Sequence, residues 1–158
     1  MKKISYFLLL ISILNFSSCT IGGTYYLINQ TGEDLMIKFE FEENRKNSFR
    51  NISGIRTMKY NGKKIKHRKI DQMTKVETNY DESDNSIQFK LVKDEYAYIG
   101  FGRNYHDYFE FYGVEKFSAK GENTLIELDK EETNSNVKLK TQRGGFLHYV
   151  RIYTLIND

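Results

Sequence analysis

From Leu35 to Phe41 the chain alternates strictly: Leu35, Ile37, Phe39 and Phe41 are apolar, and Met36, Lys38 and Glu40 stand between them. A period of two puts the four apolar side chains on one face of an extended strand and leaves the other face to water. "TYYLIN" precedes this run and is joined to it by a turn containing Thr31-Gly32, so two strands open the fold. No later segment shows the 3.6-residue spacing of an amphipathic helix.

The pattern continues. "MTKVET" reads as a strand and "NYDESDNS" as a solvated turn region. "IQFKLV-KDE-YAYIGF" reads as strand, tight turn, strand. "YFEFYGVEKFSAK", "TLIELD" and "VKLKT" add shorter strands, "KEETNSN" is a polar loop, and "FLHYVRIYTLI" is a long final strand. Tyrosine and phenylalanine, 12 and 11 residues, supply the large side chains, and both favour pleated, half-buried surfaces. Many short strands between turn signals predict an all-β fold: one antiparallel sandwich or barrel-like domain. Proline is absent, so edge strands lack one common guard, a role that the lysines of "KKIKHRK" can fill.

The clearest local signal is "RTMKY-NG-KKIKH", with Asn61-Gly62 between two extended runs, the pair that a type I′ turn requires. A two-residue loop sets Tyr60 opposite Lys63, Lys59 opposite Lys64 and Met58 opposite Ile65. Between Arg56 and Lys69 stand seven basic residues (Arg56, Lys59, Lys63, Lys64, Lys66, Arg68 and Lys69), with His67 and no acid. Such a ribbon is basic on both sides. It is either an edge hairpin kept soluble by its charges or a contact for acidic envelope material.

"ISYFLLLISIL", 11 residues, follows "MKK" and is too short to cross a bilayer as a helix, which takes roughly 20 residues. It reads as the apolar core of an export signal. The chain's one cysteine, Cys19, stands just beyond it in "ILNFSSCTIGG", residues 13–23, and no internal disulfide can form. Without Lys2 and Lys3, 22 basic residues face 21 acidic ones, and so balanced a body gives no electrostatic argument for nucleic acid.

Phe16-Ser17-Ser18-Cys19 resembles the lipobox of bacterial lipoproteins, with Phe16 where leucine is usual. The resemblance implies cleavage between Ser18 and Cys19, a diacylglyceryl thioether on the Cys19 sulfur, and acylation of the new amino group. Residues 1–18 are then the signal peptide, 19–23 a lipidated tether and 24–158 the all-β domain. Thr20, in place of aspartate, leans toward the outer membrane. "YYLINQTGEDLMI", "LVKDEYAYIGF" and "HYVRIYTLIND" are similar to pieces of small Bacteroidota lipoproteins, a likeness that bears on fold and location only.

Catalytic signatures are missing. His67, His106 and His148 are scattered without metal-ligand spacing, and neither G-x-S-x-G nor S-x-x-K occurs. "GFGRN" has too few glycines for a phosphate loop and reads as a bend at a strand end. In "NYHDYFEFY", His106 and Asp107 would point to opposite faces of a strand and could not orient one another. Tyr105, His106, Tyr108 and Tyr112 instead form a candidate aromatic binding patch, or they simply pack. No cofactor or metal is implied. The expected function is non-catalytic binding at a membrane through the lipid on Cys19, with an envelope protein or an anionic glycan as partner. The first candidate site is Lys59, Lys63, Lys64, Lys66, His67, Arg68 and Lys69. An inhibitor or immunity lipoprotein that blocks a toxin or hydrolase fits the same body, and an envelope hydrolase would need a cleft with converging acids or histidines.

Overall fold

The computed structural model describes residues 22–43, 54–103, 112–129, 136–145 and 148–157, leaving aside the side chains at 67–69, 103 and 143–145. They form two packed sheets, a β-sandwich. The strands are β1 Gly22–Gln30, β2 Leu35–Phe41, β3 Arg56–Lys59, β4 Thr74–Lys75, β5 Asn79–Asp81, β6 Ser86–Leu91, β7 Glu95–Arg103, β8 Val114–Lys120, β9 Leu125–Asp129, β10 Val137–Gly145 and β11 His148–Ile156. One sheet has the order β10-β11-β1-β7-β3-β4 and the other β5-β6-β2-β8-β9.

The predicted alternation is the core. Leu35, Ile37, Phe39 and Phe41 of β2 face inward with Ile87, Phe89 and Leu91 of β6 and Phe117 and Ala119 of β8. They meet Tyr25, Leu27, Ala97, Ile99, Tyr149, Tyr153 and Leu155 of the six-stranded sheet. Phe39 contacts Phe89 and Phe117 at ring-centroid distances of 6.2 and 5.3 Å. Each such side chain contributes about 1.5–3 kcal/mol of burial energy.

Two turns that resemble hairpins in sequence are arches. β1 and β2 lie in different sheets, as do β6 and β7, so the Thr31-Gly32 turn and the Lys93-Asp94 turn carry the chain from one layer to the other. Asn29, fully buried, joins the two arches. Its amide donates to the carbonyls of Glu33 (2.8 Å) and Leu91 (3.1 Å), and its Oδ1 accepts from the Thr31 N–H (3.1 Å) and hydroxyl (2.8 Å).

The pairing of β1 with β11 departs from the antiparallel expectation: the first and last strands run parallel, Gly22 beside His148 through Gln30 beside Ile156. A hairpin forces its strands to be antiparallel, whereas two strands joined through the whole domain are free to take either direction. β1 therefore lies in mid-sheet, and pairing begins at Gly22, two residues before the Thr24 boundary read from sequence. Gly22 and Gly23 thus belong to the sheet and not to a tether.

Glycines seat the tyrosines at this end. A Cβ on Gly23 would stand 2.1 Å from the Tyr149 ring, one on Gly102 2.6 Å from the Tyr25 ring, and one on Gly100 2.4 Å from the Tyr112 hydroxyl. Gly100 and Gly102 are therefore not a bend at a strand end. They lie inside β7, where the absent side chains leave room for rings.

Candidate binding cleft

The expected basic hairpin does not form. β3 ends at Lys59, and the Tyr60 N–H then bonds to the Asp94 carbonyl at 2.7 Å. Asn61-Gly62 does turn the chain: Gly62 has φ +74°, and Asn61 Oδ1 accepts from the Lys63 N–H at 3.2 Å. No strand follows. Residues 64–66 are irregular and lead into a 3-10 helix, His67–Gln72. The side of β3 that a returning strand would occupy is taken by β4, which pairs Thr74 with Thr57 and Lys75 with Arg56.

The physical reason lies on the outer face of the six-stranded sheet. Tyr26 and Ile28 of β1, Tyr96 of β7, and Val150 and Ile152 of β11 all point there, and a bare face of that size would be costly in water. Ile65 and Met73, each 5% exposed, cover it with help from Tyr60 and Ile70. Residues 60–73 are thus a flap laid on the sheet, not a projecting ribbon. Its lysines line the rim because its apolar side chains point down.

Between flap and β10 is a cleft of about 410 Å³. Tyr60, Gly62, Lys63, Lys64 and Ile65 form the flap wall; Lys140 and Gln142 form the facing wall, with Ile152 beside them. Lys138, Lys140 and Gln142 alternate onto this face of β10, opposite Thr154, Ile152 and Val150. None of the described lining residues is a carboxylate or a histidine. Gln142 Oε1 is buried and has no hydrogen-bond partner among the described residues. Lys63, Lys138 and Lys140 make no ion pair with a described residue. A second recess of about 180 Å³ shares part of this wall and is lined by Lys59 and Lys66 as well as Lys63 and Lys64.

On the five-stranded sheet, three described lysines are paired with acids. Lys38 bridges Glu40 at 2.9 Å and Asp84, Lys90 meets Asp34 at 2.8 Å, and Lys116 meets Glu127 at 3.8 Å. The Asp84 carboxylate holds the Lys38 ammonium above the ordinary lysine range. The Lys90 ammonium in turn holds Asp34 below the ordinary carboxylate range.

Of the residues proposed from sequence, Lys59, Lys63, Lys64 and Lys66 are exposed and gather around the two recesses. His67, Arg68 and Lys69 lie on the 3-10 helix, with side chains outside the described set. Ser18, Cys19, Tyr105, His106 and Tyr108 lie outside the described residues. Tyr112 is described and is not a surface group. It is 4% exposed and its hydroxyl bonds to the backbone of Phe101, because the Gly100 seat draws the ring inward. His148 is engaged too, with Nε2 2.8 Å from Thr24 Oγ1 and its ring stacked on Phe101.

Lys140, Gln142 and Ile152 are the cleft residues that sequence reasoning missed. "VKLKT" places Lys138 and Lys140 on one face of a strand, but nothing in it says that this face meets residues 60–65. The arrangement is suited to holding an anion against a partly apolar wall: ammonium donors on both sides, with Tyr60, Ile65 and Ile152 between them. Comparison with protein-family models, with curated proteins and with solved structures yields no match to this chain.

Proposed function

We propose that this protein is a lipid-anchored binding module of a bacterial envelope, held at the membrane through Cys19 and engaging an anionic partner at the flap cleft. The observation that carries the binding half is the cleft itself: Lys63 and Lys64 face Lys140 across it, and no described carboxylate lines it. The anchoring half rests on the lipobox-like Phe16-Ser17-Ser18-Cys19 and the apolar run before it. Thr20 and Ile21 lie between Cys19 and Gly22, where the described part of β1 starts. A diacylated cysteine on so short a tether keeps the domain against the lipid surface. The outer membrane is the proposed location.

Photo-crosslinking in cells tests the site, with the probe at Lys64 and a control at Lys120, exposed on the opposite sheet. A discrete adduct from Lys64 alone supports the cleft. Equal labelling at both positions, or none, sinks it. An adduct with an enzyme whose activity falls in the complex would identify an inhibitor or immunity protein. Cys19→Ser tests the anchor separately: a variant that is still acylated and still extracted with membranes refutes it.

A further inference from the structure

We infer that the flap cleft takes acidic sugar units, the uronate residues of an anionic glycan chain; this rests on the binding reading above and names its ligand. Size is the first argument. About 410 Å³ lies within the usual range of small-molecule sites, roughly 300–1,000 Å³, and is far more than one inorganic anion fills.

Charge placement is the second. The lysines come from two separate elements: Lys63 and Lys64 stand on one wall and Lys140 on the other. Lys138 continues the row along β10, two residues and so roughly 6.6 Å further on. A row of separated point charges matches a chain bearing one carboxylate per ring.

The third argument concerns hydrogen-bond type. Gln142 lines the cleft, and its amide offers a neutral group able to donate and accept hydrogen bonds beside the lysines. A uronate ring carries hydroxyl donors and a carboxylate acceptor in one rigid unit. The side chains of an acidic peptide bring acceptors alone. Half-buried Tyr60, with Ile65 and Ile152, gives a surface on which the C–H face of a pyranose can rest.

Calorimetric titration of the purified full chain tests this with four probes: galacturonate and mannuronate tetramers, the methyl-esterified galacturonate tetramer, and tetraglutamate. At least one uronate tetramer is expected to bind, with the ester and tetraglutamate each about tenfold weaker or more. The exposed pair Lys63→Glu with Lys140→Glu is expected to lose about tenfold or more, Gln142→Leu several-fold, and Lys120→Glu nothing. Circular dichroism checks that each variant is folded. Tetraglutamate binding as tightly as the uronates overturns the sugar assignment and leaves an anion-binding cleft standing. No binding of any probe, alongside a discrete protein adduct from Lys64, overturns the sugar assignment and keeps the module. Uronate binding untouched by the lysine and glutamine variants places the ligand elsewhere and overturns it too.

Discussion

The Tyr112 hydroxyl donates to the Phe101 carbonyl at 2.7 Å and accepts from the Phe101 N–H at 2.9 Å. One phenol thus satisfies both backbone groups of a β7 residue next to the irregularity where β1 and β7 slip register. Tyr112→Phe keeps the ring and strands both groups. It is expected to destabilise by about 1–3 kcal/mol, read as a lower urea midpoint at unchanged slope. Gly100→Ala attacks the same contact from the other side, since φ +155° and the Tyr112 hydroxyl leave no room for a methyl. An unchanged midpoint in both variants would refute the account of this seat.

Buried phenols also make the fold sensitive to alkali. Burial pushes the Tyr112 hydroxyl up to about 12, with the Phe101 N–H bond pulling the other way, and it raises Tyr25 and Tyr26 as well. In the unfolded chain a tyrosine ionises near pH 10. A raised folded pKa means that the unfolded state loses its proton first, so stability is whole below about pH 10 and falls as pH rises toward 12. Each phenol costs roughly 1.4 kcal/mol per pH unit in that window. Urea midpoints at about pH 9 and about pH 11 check this. Tyr26→Phe removes a titrating hydroxyl that no described residue pairs with and should flatten the fall; a fall of equal steepness would contradict the assignment.

How far the fold was legible follows from which forces are local. Strand alternation is written in neighbouring residues, so Leu35 to Phe41 and the β11 stretch read correctly. Turn chemistry is local too, and Asn61-Gly62 does turn. What a turn connects is not local: the same Gly and Asp residues serve a hairpin or an arch, and β1→β2 and β6→β7 prove to be arches. The flap was misread for the same reason. Ile65 left its predicted place opposite Met58 because an apolar sheet face built from β1, β7 and β11 needed cover, a demand that no window around residue 65 contains. Half of the site was therefore visible as a lysine cluster, and the β10 half was not.

The Asn29 amide tests the arches. Its four hydrogen bonds tie the β1→β2 crossing to the end of β6, inside a position with no solvent access. Asn29→Leu keeps the bulk and leaves the carbonyls of Glu33 and Leu91 without their donor. The expected cost is about 2–4 kcal/mol, at the upper end for single substitutions. A loss under about 0.5 kcal/mol, typical of exposed positions, would mean that the crossings hold without it.

Ile65 separates the flap from the sandwich. Its side chain is 5% exposed and packs in the outer cluster with Tyr26, Met73 and Ile152, apart from the inter-sheet core. Ile65→Ala removes buried methyl groups and should cost about 2–4 kcal/mol if flap and sandwich unfold together. If the flap opens by itself, most of that loss is local: trypsin cleaves faster within residues 59–69, while the global urea midpoint barely moves. Local opening is expected, because the outer cluster is joined to the inner core only through the sheet between them. Since Lys63, Lys64 and Ile65 form one wall of the cleft, the same variant should also weaken uronate binding in the titration. A variant that loses global stability in full, without faster tryptic cleavage, would show instead that the flap is an inseparable part of the fold and that the cleft wall is rigid.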